Sequence, residues 1–311
     1  ELLNQAYEFF QEIFGEDQVG RIQGQKVEIG GIVDVAMIQT LGKAVKQKKA
    51  TTINQLENYN TLIMDECHLA SADSYLLVGN MCVNASVRYL ISGTPWDSED
   101  KLKQHKIKGQ AGEELIKVSK DRLMTESISR RPQVHIHHIN QDNKFETWSE
   151  AYEEGIVKNY ERNMIIKEIV QRNSDKYILI SVRAIEHAKL LYDLLEWSVG
   201  EDKIRCLYAD AEDREEALRG YQDGRVRVLI ATQLIREGVN IPITDILVCA
   251  QGGKSKIAVS QLSGRAERAK DGNVNVELHD FMDAGKYIKD HSKVRMKVYQ
   301  DPANGFEIVE G

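Results

Sequence analysis

Short apolar segments alternate along the chain with segments of helical periodicity, and they fall into two sets. We interpret the apolar segments as strands: DVAMIQT (34–40), TLIMDE (61–66) and RYLISGT (88–94) in the first set, then KYILISV (176–182), IRCLYAD (204–210), RVLIATQ (227–233), DILVCAQ (245–251) and VNVELHDF (274–281) in the second. Most are apolar on both faces, which is typical of strands buried in a parallel sheet.

Helical periodicity fills the intervals between these strands. The segments are ELLNQAYEFFQEIF (1–14), AIEHAKLLYDLLEW (184–197), DREEALRGYQDG (213–224) and KIAVSQLSGRAERAK (256–270). Strands that alternate with helices indicate βαβ units and open, doubly wound sheets. We therefore predict two α/β domains with mainly parallel sheets, over residues 1–138 and 139–311, with an extended segment at the junction because Pro132 disfavours helix before it.

Length and composition agree with an ordinary globular protein. The 311 residues suit about two domains. No apolar run approaches the roughly 20 residues that cross a bilayer, and the four cysteines lack CxxC spacing, so we expect a cytoplasmic protein (in a host cytoplasm if viral) without membrane contact. The net charge of −7 requires any nucleic-acid site to be a local groove.

The first candidate chemistry lies in DECH (65–68), directly after the apolar run TLIM. Ligands of α/β folds gather at the carboxyl ends of strands. In nucleotide hydrolases an acid at this point holds Mg²⁺, often through water, and a neighbouring acid polarises the attacking water. Asp65 and Glu66 are placed for these tasks, and the alternative for the pair alone is an acidic loop after a strand.

Three further motifs follow in order. SGT (92–94) ends the next apolar run, ATQLIREGVNIP (231–242) follows a strand of the second set, and QLSGRAER (261–268) opens a helix. Arg265 and Arg268 are three residues apart and so share a helix face, which suits a site of dense negative charge. The alternative for GRAER in isolation is a solvated, charged face.

Taken in order, these motifs resemble those of the superfamily 2 helicases. DECH matches the Walker B box, SGT the motif that couples hydrolysis to domain movement, and the two later motifs the fifth and sixth motifs of the superfamily. GGKSKIAVSQLSGRAERAKDG and DFMDAG further resemble the UvsW-type branch-migration helicases of bacteriophages. The resemblance implies two RecA-like domains that bind ATP and Mg²⁺ in a cleft.

The resemblance also implies a role for each matching residue of the ATP site. Asp65 would hold Mg²⁺ through water, and Glu66 would be the catalytic base. His68 would connect the site to the second domain through Ser92 and Thr94. The remaining residues would lie near the nucleotide, the arginines at its phosphates: Gly238, Asn240, Gln261, Arg265 and Arg268.

A second group would contact the phosphate backbone of a nucleic-acid strand, again by resemblance. Gln39 and Thr40 belong to IQTL (38–41), which matches a strand-tracking motif. Ser181 and Arg183 end the first strand of the second set, and Thr232 follows a later one. Such contacts carry little sequence information.

One motif of the superfamily is missing. The chain contains no complete G-x-x-x-x-G-K-[ST], the loop that cradles the β- and γ-phosphates. GEDQVGRI (15–22) and GGKS (252–255) are partial matches that we attribute to chance. LLNQ (2–5) resembles the tail of the motif that follows this loop, so we expect the loop upstream of residue 1 and the first domain to be N-terminally incomplete here. This chain alone would then not bind ATP normally.

Three other features of the sequence are interpreted as structural and not as functional sites. His135 and His137 of HIHH share a strand face, but no further ligand stands at a recognisable spacing, so we interpret them as ordinary strand residues. Cys67 has no paired base in the sequence and is interpreted as a small filler. The basic run KDHSKVRMK (289–297) is interpreted as a solvated helix face, with a DNA-contacting edge as the alternative.

The sequence thus predicts an ATP-dependent DNA helicase or translocase, acting in branch migration, recombination or repair. Single-stranded or branched DNA is the expected partner. The alternatives are an RNA helicase, the motor subunit of a restriction enzyme, and a nucleic-acid-binding module that has lost its ATPase.

Overall fold

The structure is a computed structural model and describes residues 2–93, 100–118, 122, 131–140, 144–208, 213–232, 244–253 and 275–309. The chain divides into two units, Glu1–Lys117 and Val118–Gly311. Both are built from helices and mainly parallel strands, which confirms the predicted α/β class. No helix in the described ranges combines the length and the apolar character needed to cross a membrane.

The first unit contains two small sheets with helices between and around them. Its helices are α1 (Leu2–Phe14), α2 (Ile38–Lys46), α3 (Ala50–Asn58), α4 (Asp73–Met81) and α5 (Lys101–Ala111). Its strands are β1 (Val19–Gln23), β2 (Lys26–Glu28), β3 (Val33–Ala36), β4 (Thr61–Met64) and β5 (Val87–Leu90). One sheet has the order β2-β1-β3, and the other pairs β4 with β5 in parallel.

The β4–β5 sheet is covered on one face by described residues. Met64 of β4 packs with Cys67, Ala70 and Ile107 in a buried cluster. On the opposite face, Ile63 is 57% exposed and Tyr89 is 51% exposed. These strands therefore differ from the expectation of burial on both faces, because the helices described in this unit pack against one face alone.

The prediction that residues 34–40 form one strand is wrong for the second half of this segment. The strand β3 ends at Ala36 and the helix α2 begins at Ile38. Met37 is extended, and its carbonyl accepts the first helical hydrogen bonds from the N–H groups of Thr40 and Leu41, at 3.0 and 3.1 Å. Gln39 and Thr40 consequently lie in the first turn of a helix rather than in a strand.

The second unit is organised around a seven-stranded, wholly parallel sheet of order β12-β6-β11-β10-β7-β9-β8. The strands are β6 (Arg131–Ile139), β7 (Ile178–Ser181), β8 (Ile204–Leu207), β9 (Val228–Ala231), β10 (Ile246–Cys249), β11 (Asn275–Asp283) and β12 (Glu307–Val309). The helices are α6 (Trp148–Tyr152), which continues as a π-helical turn (Glu153–Val157), α7 (Tyr160–Arg172), α8 (Ile185–Val199), α9 (Arg214–Gln222) and α10 (Ile288–Gln300).

Helices cover both faces of this sheet. All residues of β7, β9 and β10 are buried, which confirms the prediction from their apolar composition. One face packs against α7 and α8, with Ile166 and Leu191 fully buried. The other face packs against α9 and α10, with Tyr221 and Tyr299 buried.

The division between the units falls earlier than the boundary predicted between residues 138 and 139. The strand β6 pairs in parallel with β11, from Arg131↔Asn275 to Ile139↔Asp283, and so belongs to the second sheet. The extended character predicted around Pro132 is confirmed, but the segment is an interior strand of the sheet, since β12 pairs along its other side. This pairing is long-range and leaves no local signal.

The HIHH segment lies in the strand β6, as predicted. His135 and His137 lie on one face of β6 and stack with His279 of β11, at ring-centroid distances of 4.8 and 5.2 Å. Among the described residues, no three or more His, Cys, Asp or Glu side chains are grouped to hold a metal ion. Burial, followed by the neighbouring His279 and His135, lowers the pKa of His137 to about 4.

The basic run 289–297 lies in α10, and its prediction as a solvated face is wrong for Arg295. The Arg295 side chain is 3% exposed and pairs with Asp280, with Nε 2.8 Å from Oδ2. Lys293 of the same run is exposed and pairs loosely with Asp290. The charge pattern of a helix does not reveal which basic residue meets a buried acid.

The buried His187 of α8 makes the free energy of unfolding depend on pH, which gives a test of this core. Its Nε2 lies 3.1 Å from Oδ1 of Asn163, and burial together with the charge of Arg162 lowers its pKa to about 3. The unfolded chain binds a proton near pH 6.5 but the folded chain does not, so stability falls as pH drops from 6.5 towards 3. Between pH 7 and 5, wild type should lose about 2 kcal/mol more unfolding free energy than His187→Gln.

Urea unfolding at both pH values measures this difference. The matched control is His138→Gln, because the His138 side chain is exposed on β6. Equal losses in wild type and His187→Gln would contradict the assignment.

Candidate nucleotide site

The candidate site of the first unit forms where β4 and β5 end side by side. These strands pair in parallel from Thr61↔Val87 to Met64↔Leu90, so the residues after them meet at one edge. The N–H of Ile91 donates to the carbonyl of Met64 at 2.9 Å, and the N–H of Cys67 donates to the carbonyl of Ile91 at 3.0 Å. These bonds bring the DECH segment next to Ser92.

Three of the predicted side chains contact one another there. Nδ1 of His68 lies 3.2 Å from Oε2 of Glu66 and 3.3 Å from Oγ of Ser92. The Ser92 hydroxyl also donates to the same Glu66 oxygen, at 3.5 Å. The sequence prediction that His68 is linked to Ser92 therefore agrees with the geometry, whereas Thr94 lies outside the described residues.

The two acids have different surroundings. Asp65 is exposed, and its Oδ1 accepts a hydrogen bond of 2.8 Å from the N–H of Glu66. The Glu66 side chain is 40% exposed. The contacts that described residues make with the Glu66 carboxylate go to Oε2.

The Glu66 backbone is in the left-handed region, at φ 51° and ψ 51°. A residue with a Cβ atom pays about 1–2 kcal/mol for this conformation. Strained backbones of this kind cluster at functional sites, where the surrounding structure holds them. Here the bond from its N–H to Asp65 and the contacts of its carboxylate with His68 and Ser92 hold the residue.

Cys67 lies in the buried cluster beneath Asp65 and Glu66, and Tyr75 packs against that cluster. Burial, followed by the charges of Glu66 and Asp65, raises the pKa of the Cys67 thiol. A protonated, 3% exposed thiol is a poor nucleophile, in agreement with its reading as a filler. Burial and the same two acids raise the pKa of Tyr75 on α4. Nothing in the sequence spacing relates Tyr75 to DECH.

The predicted strand-contacting residues are divided between the two units. In the first, Gln39 is exposed, while the hydroxyl of Thr40 accepts a hydrogen bond of 2.9 Å from the N–H of Gly24. In the second, Ser181 ends β7 and Thr232 follows the adjacent β9, and these are 3% and 9% exposed.

Arg183 is the exposed member of the group in the second unit. It follows β7, and its guanidinium lies over the ring of Tyr152, 5.6 Å from the centroid. Ser181, Thr232 and Arg183 thus share the carboxyl edge of the second sheet, where ligands of α/β folds gather. The other predicted residues of this unit lie outside the described residues: Gly238, Asn240, Gln261, Arg265 and Arg268.

The Asp65 carboxylate suits Mg²⁺. Mg²⁺ keeps several waters and takes one or two carboxylates together with phosphate oxygens. An exposed carboxylate at a strand end, fixed on one oxygen by a backbone N–H, matches this requirement.

Comparisons with known proteins agree with the order of the motifs. The family model for the type III restriction enzyme res subunit matches residues 1–97, and the model for the helicase conserved C-terminal domain matches residues 161–270. The first match contains DECH and SGT and the second contains QLSGRAER, which confirms the predicted resemblance to the superfamily 2 helicases.

Individual relatives include viral helicases. The ATP-dependent DNA helicase uvsW of Enterobacteria phage T4 is 22% identical over 259 residues, covering 80% of this chain and 50% of that protein. Putative helicase 22 of Sulfolobus islandicus filamentous virus is 25% identical over 278 residues, covering 80% of this chain and 47% of that protein. The chain spans about half the length of these relatives.

The fold has close neighbours among solved structures. S. cerevisiae Dbp5 bound to RNA and ADP BeF3 superposes with a TM-score of 0.65 at 17% identity, over 100% of this chain and 75% of that one. At this identity the likeness shows the fold, and it confirms the RecA-like architecture.

The left-handed Glu66 gives a prediction about stability. Because glycine adopts φ of 51° without strain, Glu66→Gly should be more stable than Glu66→Ala by about 1 kcal/mol. Denaturant unfolding measures the difference.

The matched control is the exposed Glu8 inside α1. There the order should reverse, with Gly about 1 kcal/mol less stable than Ala. The same order at both positions would show that Glu66 is not held in the left-handed conformation.

Proposed function

We propose that the protein is an ATP-dependent DNA helicase or translocase, in which hydrolysis of ATP drives movement along DNA. The contact of Glu66 with His68 and Ser92 at the ends of β4 and β5 is the observation that carries this proposal. In this contact, Glu66 would be the base, and its carboxylate is joined to Ser92 of the SGT motif, which follows β5. The uvsW relative, named as an ATP-dependent DNA helicase, supports DNA as the substrate.

In the proposed reaction a water molecule attacks the γ-phosphorus of ATP. Glu66 accepts the proton of this water, the bond from the γ-phosphorus to the bridging oxygen breaks, and ADP and phosphate are released. Asp65 would hold Mg²⁺ through water, and the ion would neutralise charge on the phosphates. Arg265 and Arg268 would stabilise the charge of the transferred group, with Gln261, Gly238 and Asn240 beside them.

Coupling would pass through the hydrogen bonds of His68. When phosphate leaves, the charge near Glu66 changes, and His68 and Ser92 are the described side chains that contact its carboxylate. Thr94 would extend this connection towards the second unit. Opening and closing of the cleft would then move the protein along a strand bound by Gln39, Thr40, Ser181, Arg183 and Thr232.

The role of Glu66 is tested by Glu66→Gln in the full-length protein. The amide keeps the shape of the side chain but accepts no proton, so ATP binding should persist while DNA-stimulated turnover falls by about 100-fold or more. Nucleotide binding and phosphate release are the two measurements.

The exposed Glu8 gives the control, since Glu8→Gln should retain wild-type turnover. Wild-type turnover of Glu66→Gln would refute Glu66 as the base. A wild-type protein that binds nucleic acid and hydrolyses no ATP would favour the alternative of a binding module.

The nucleic-acid contact is tested by Arg183→Ala. Loss of one phosphate contact should raise the DNA concentration needed for half-maximal ATPase stimulation and reduce the salt slope of DNA binding by about 1. Turnover without DNA should not change. Arg172→Ala is the control, because Arg172 is exposed on α7 and pairs with Glu168 at 3.2 Å.

The same assay compares branched DNA, single-stranded DNA and RNA as stimulators. Stronger stimulation by DNA is expected, and stronger stimulation by RNA would establish the RNA helicase alternative. Equal effects of Arg183→Ala and Arg172→Ala would remove Arg183 from the strand path.

A further inference from the structure

A buried glutamine of the first unit contacts the turn that carries the predicted acids. Gln110 lies near the end of α5 and is 7% exposed. Its Nε2 donates a hydrogen bond of 2.6 Å to the carbonyl of Ala70, a fully buried residue that precedes it by 40 positions. The contact is long-range and has no signal in the sequence.

Ala70 ends the one-turn helix that follows Glu66. This 3₁₀ helix spans Cys67–Leu69, and Ala70 is its C-terminal cap. The N–H of Leu69 donates to the carbonyl of Glu66, and the N–H of Ala70 donates to that of Cys67, both at 2.9 Å. Because each of these bonds spans three residues, a fixed Ala70 restrains the backbone as far back as Glu66.

The turn is held at both ends by the chain that follows β4 and its helix α4. At its start, the N–H of Cys67 donates to the carbonyl of Ile91, directly after β5, at 3.0 Å. At its end, Gln110 of α5 donates to Ala70. The left-handed backbone of Glu66 requires such restraint, since a strained conformation persists only where the surrounding structure fixes it.

Apolar packing brings α5 within reach of the turn. Ile107, one helical turn before Gln110, packs in the buried cluster with Met64, Cys67 and Ala70. Residues three apart share a helix face, so Gln110 faces the same cluster. Gln110 thus adds a directional bond to a contact that is otherwise apolar.

Stability alone does not explain a glutamine at this position. Oε1 of Gln110 is buried and has no hydrogen-bond partner among the described residues. The bond gained at Nε2 and the oxygen left unpaired offset each other, so the net contribution to folding free energy is small. The bond does, however, fix the place of the Ala70 carbonyl.

The glycine at position 79 supports the same assignment. Gly79 lies in α4, where alanine would be the better helix former. A Cβ atom added there would collide with Oε1 of Gln110, while its next neighbours, including Cε of Met64, would be at ordinary contact distance. The glycine therefore leaves room for the Gln110 amide to reach Ala70.

We propose that Gln110 is a positioning residue, which holds the carbonyl of Ala70 and thereby sets the direction of the Glu66 carboxylate towards the attacking water. This inference rests on the proposed function for its effect on hydrolysis. The hydrogen bond itself is independent of that function. Gln110 acts through the turn and takes no part in the proton transfer.

The first test is Gln110→Met in the full-length protein. Methionine fills a similar volume but has no donor for Ala70. The kcat of DNA-stimulated hydrolysis should fall by about tenfold with KM for ATP unchanged, because a displaced base loses its effect in the transition state and not in binding. A wild-type kcat, or a loss confined to KM, would overturn the positioning role.

A double variant separates positioning from a simple loss of folded protein. If Gln110 acts through Glu66, adding Gln110→Met to Glu66→Gln should leave the residual turnover unchanged, since the base is already absent. A loss of folded protein would instead lower turnover by the same factor in both backgrounds. Equal factors would therefore overturn the proposal.

Gly79→Ala reaches the same bond without changing Gln110, and it decides the matter should Gln110→Met fail to fold. The added methyl group displaces the flexible amide, so kcat should fall as in Gln110→Met. The matched control is Gly109→Ala on α5, where a Cβ atom meets no described atom within 4 Å and kcat should stay at the wild-type value. Equal kcat values for the two alanine variants would contradict the assignment.

Amide hydrogen exchange tests the bond without reference to catalysis. Peptides covering residues 64–72 should exchange faster in Gln110→Met and Gly79→Ala than in Gly109→Ala or wild type. Unchanged exchange would overturn the bond as an anchor of the turn, and faster exchange with wild-type kcat would overturn its role in hydrolysis. Failure of the proposed function would appear separately, as absent ATP hydrolysis in wild type.

Discussion

The hydrogen bonds that Glu66 makes with His68 and Ser92 are the interaction on which the functional site depends. They join the ends of two strands whose residues are far apart in sequence, and they exist because β4 and β5 pair in parallel with Met64 opposite Leu90. A shift of the β4–β5 pairing by one residue would turn the side chains of one strand to the opposite face of the sheet. Ser92 would then be separated from Asp65 and Glu66. The pairing of β4 with β5 therefore brings the side chains together, and their chemistry acts only once they are adjacent.

In the second unit, the predicted site residues depend on a sheet that is buried on both faces. Its sheet is covered on both faces, and its central strands are buried throughout. Such a sheet supplies a rigid edge, and Ser181, Arg183 and Thr232 lie along it. Beyond the last ladder pair of β10 and β11, the buried arginines continue the connection. Arg162 and Arg295 thus join the chain after β10 to the carboxyl end of β11.

Much of this arrangement was predictable because its signals are local. Apolar runs located the strands of the second sheet within a few residues, and DECH after TLIM located the acids at a strand end. Three features had no local signal. The pairing of β6 with β11 is long-range, the left-handed backbone of Glu66 depends on its surroundings, and the basic run of α10 did not reveal that Arg295 meets Asp280. The segment 34–40 was ambiguous, since IQTL suits either a strand or the helix that it begins.

The central claim is that the acids of the first unit and Arg265 and Arg268 of the second act on one triphosphate. A structure of the full-length protein with DNA, Mg²⁺, ADP and beryllium trifluoride tests it most directly, because the fluoride stands in for the γ-phosphoryl group. The expected result has the Glu66 carboxylate and the guanidinium of Arg265 or Arg268 at opposite sides of the fluoride, within hydrogen-bond reach of it or of its attacking water. Arginines bound elsewhere, with the fluoride contacted by the first unit alone, would contradict the claim.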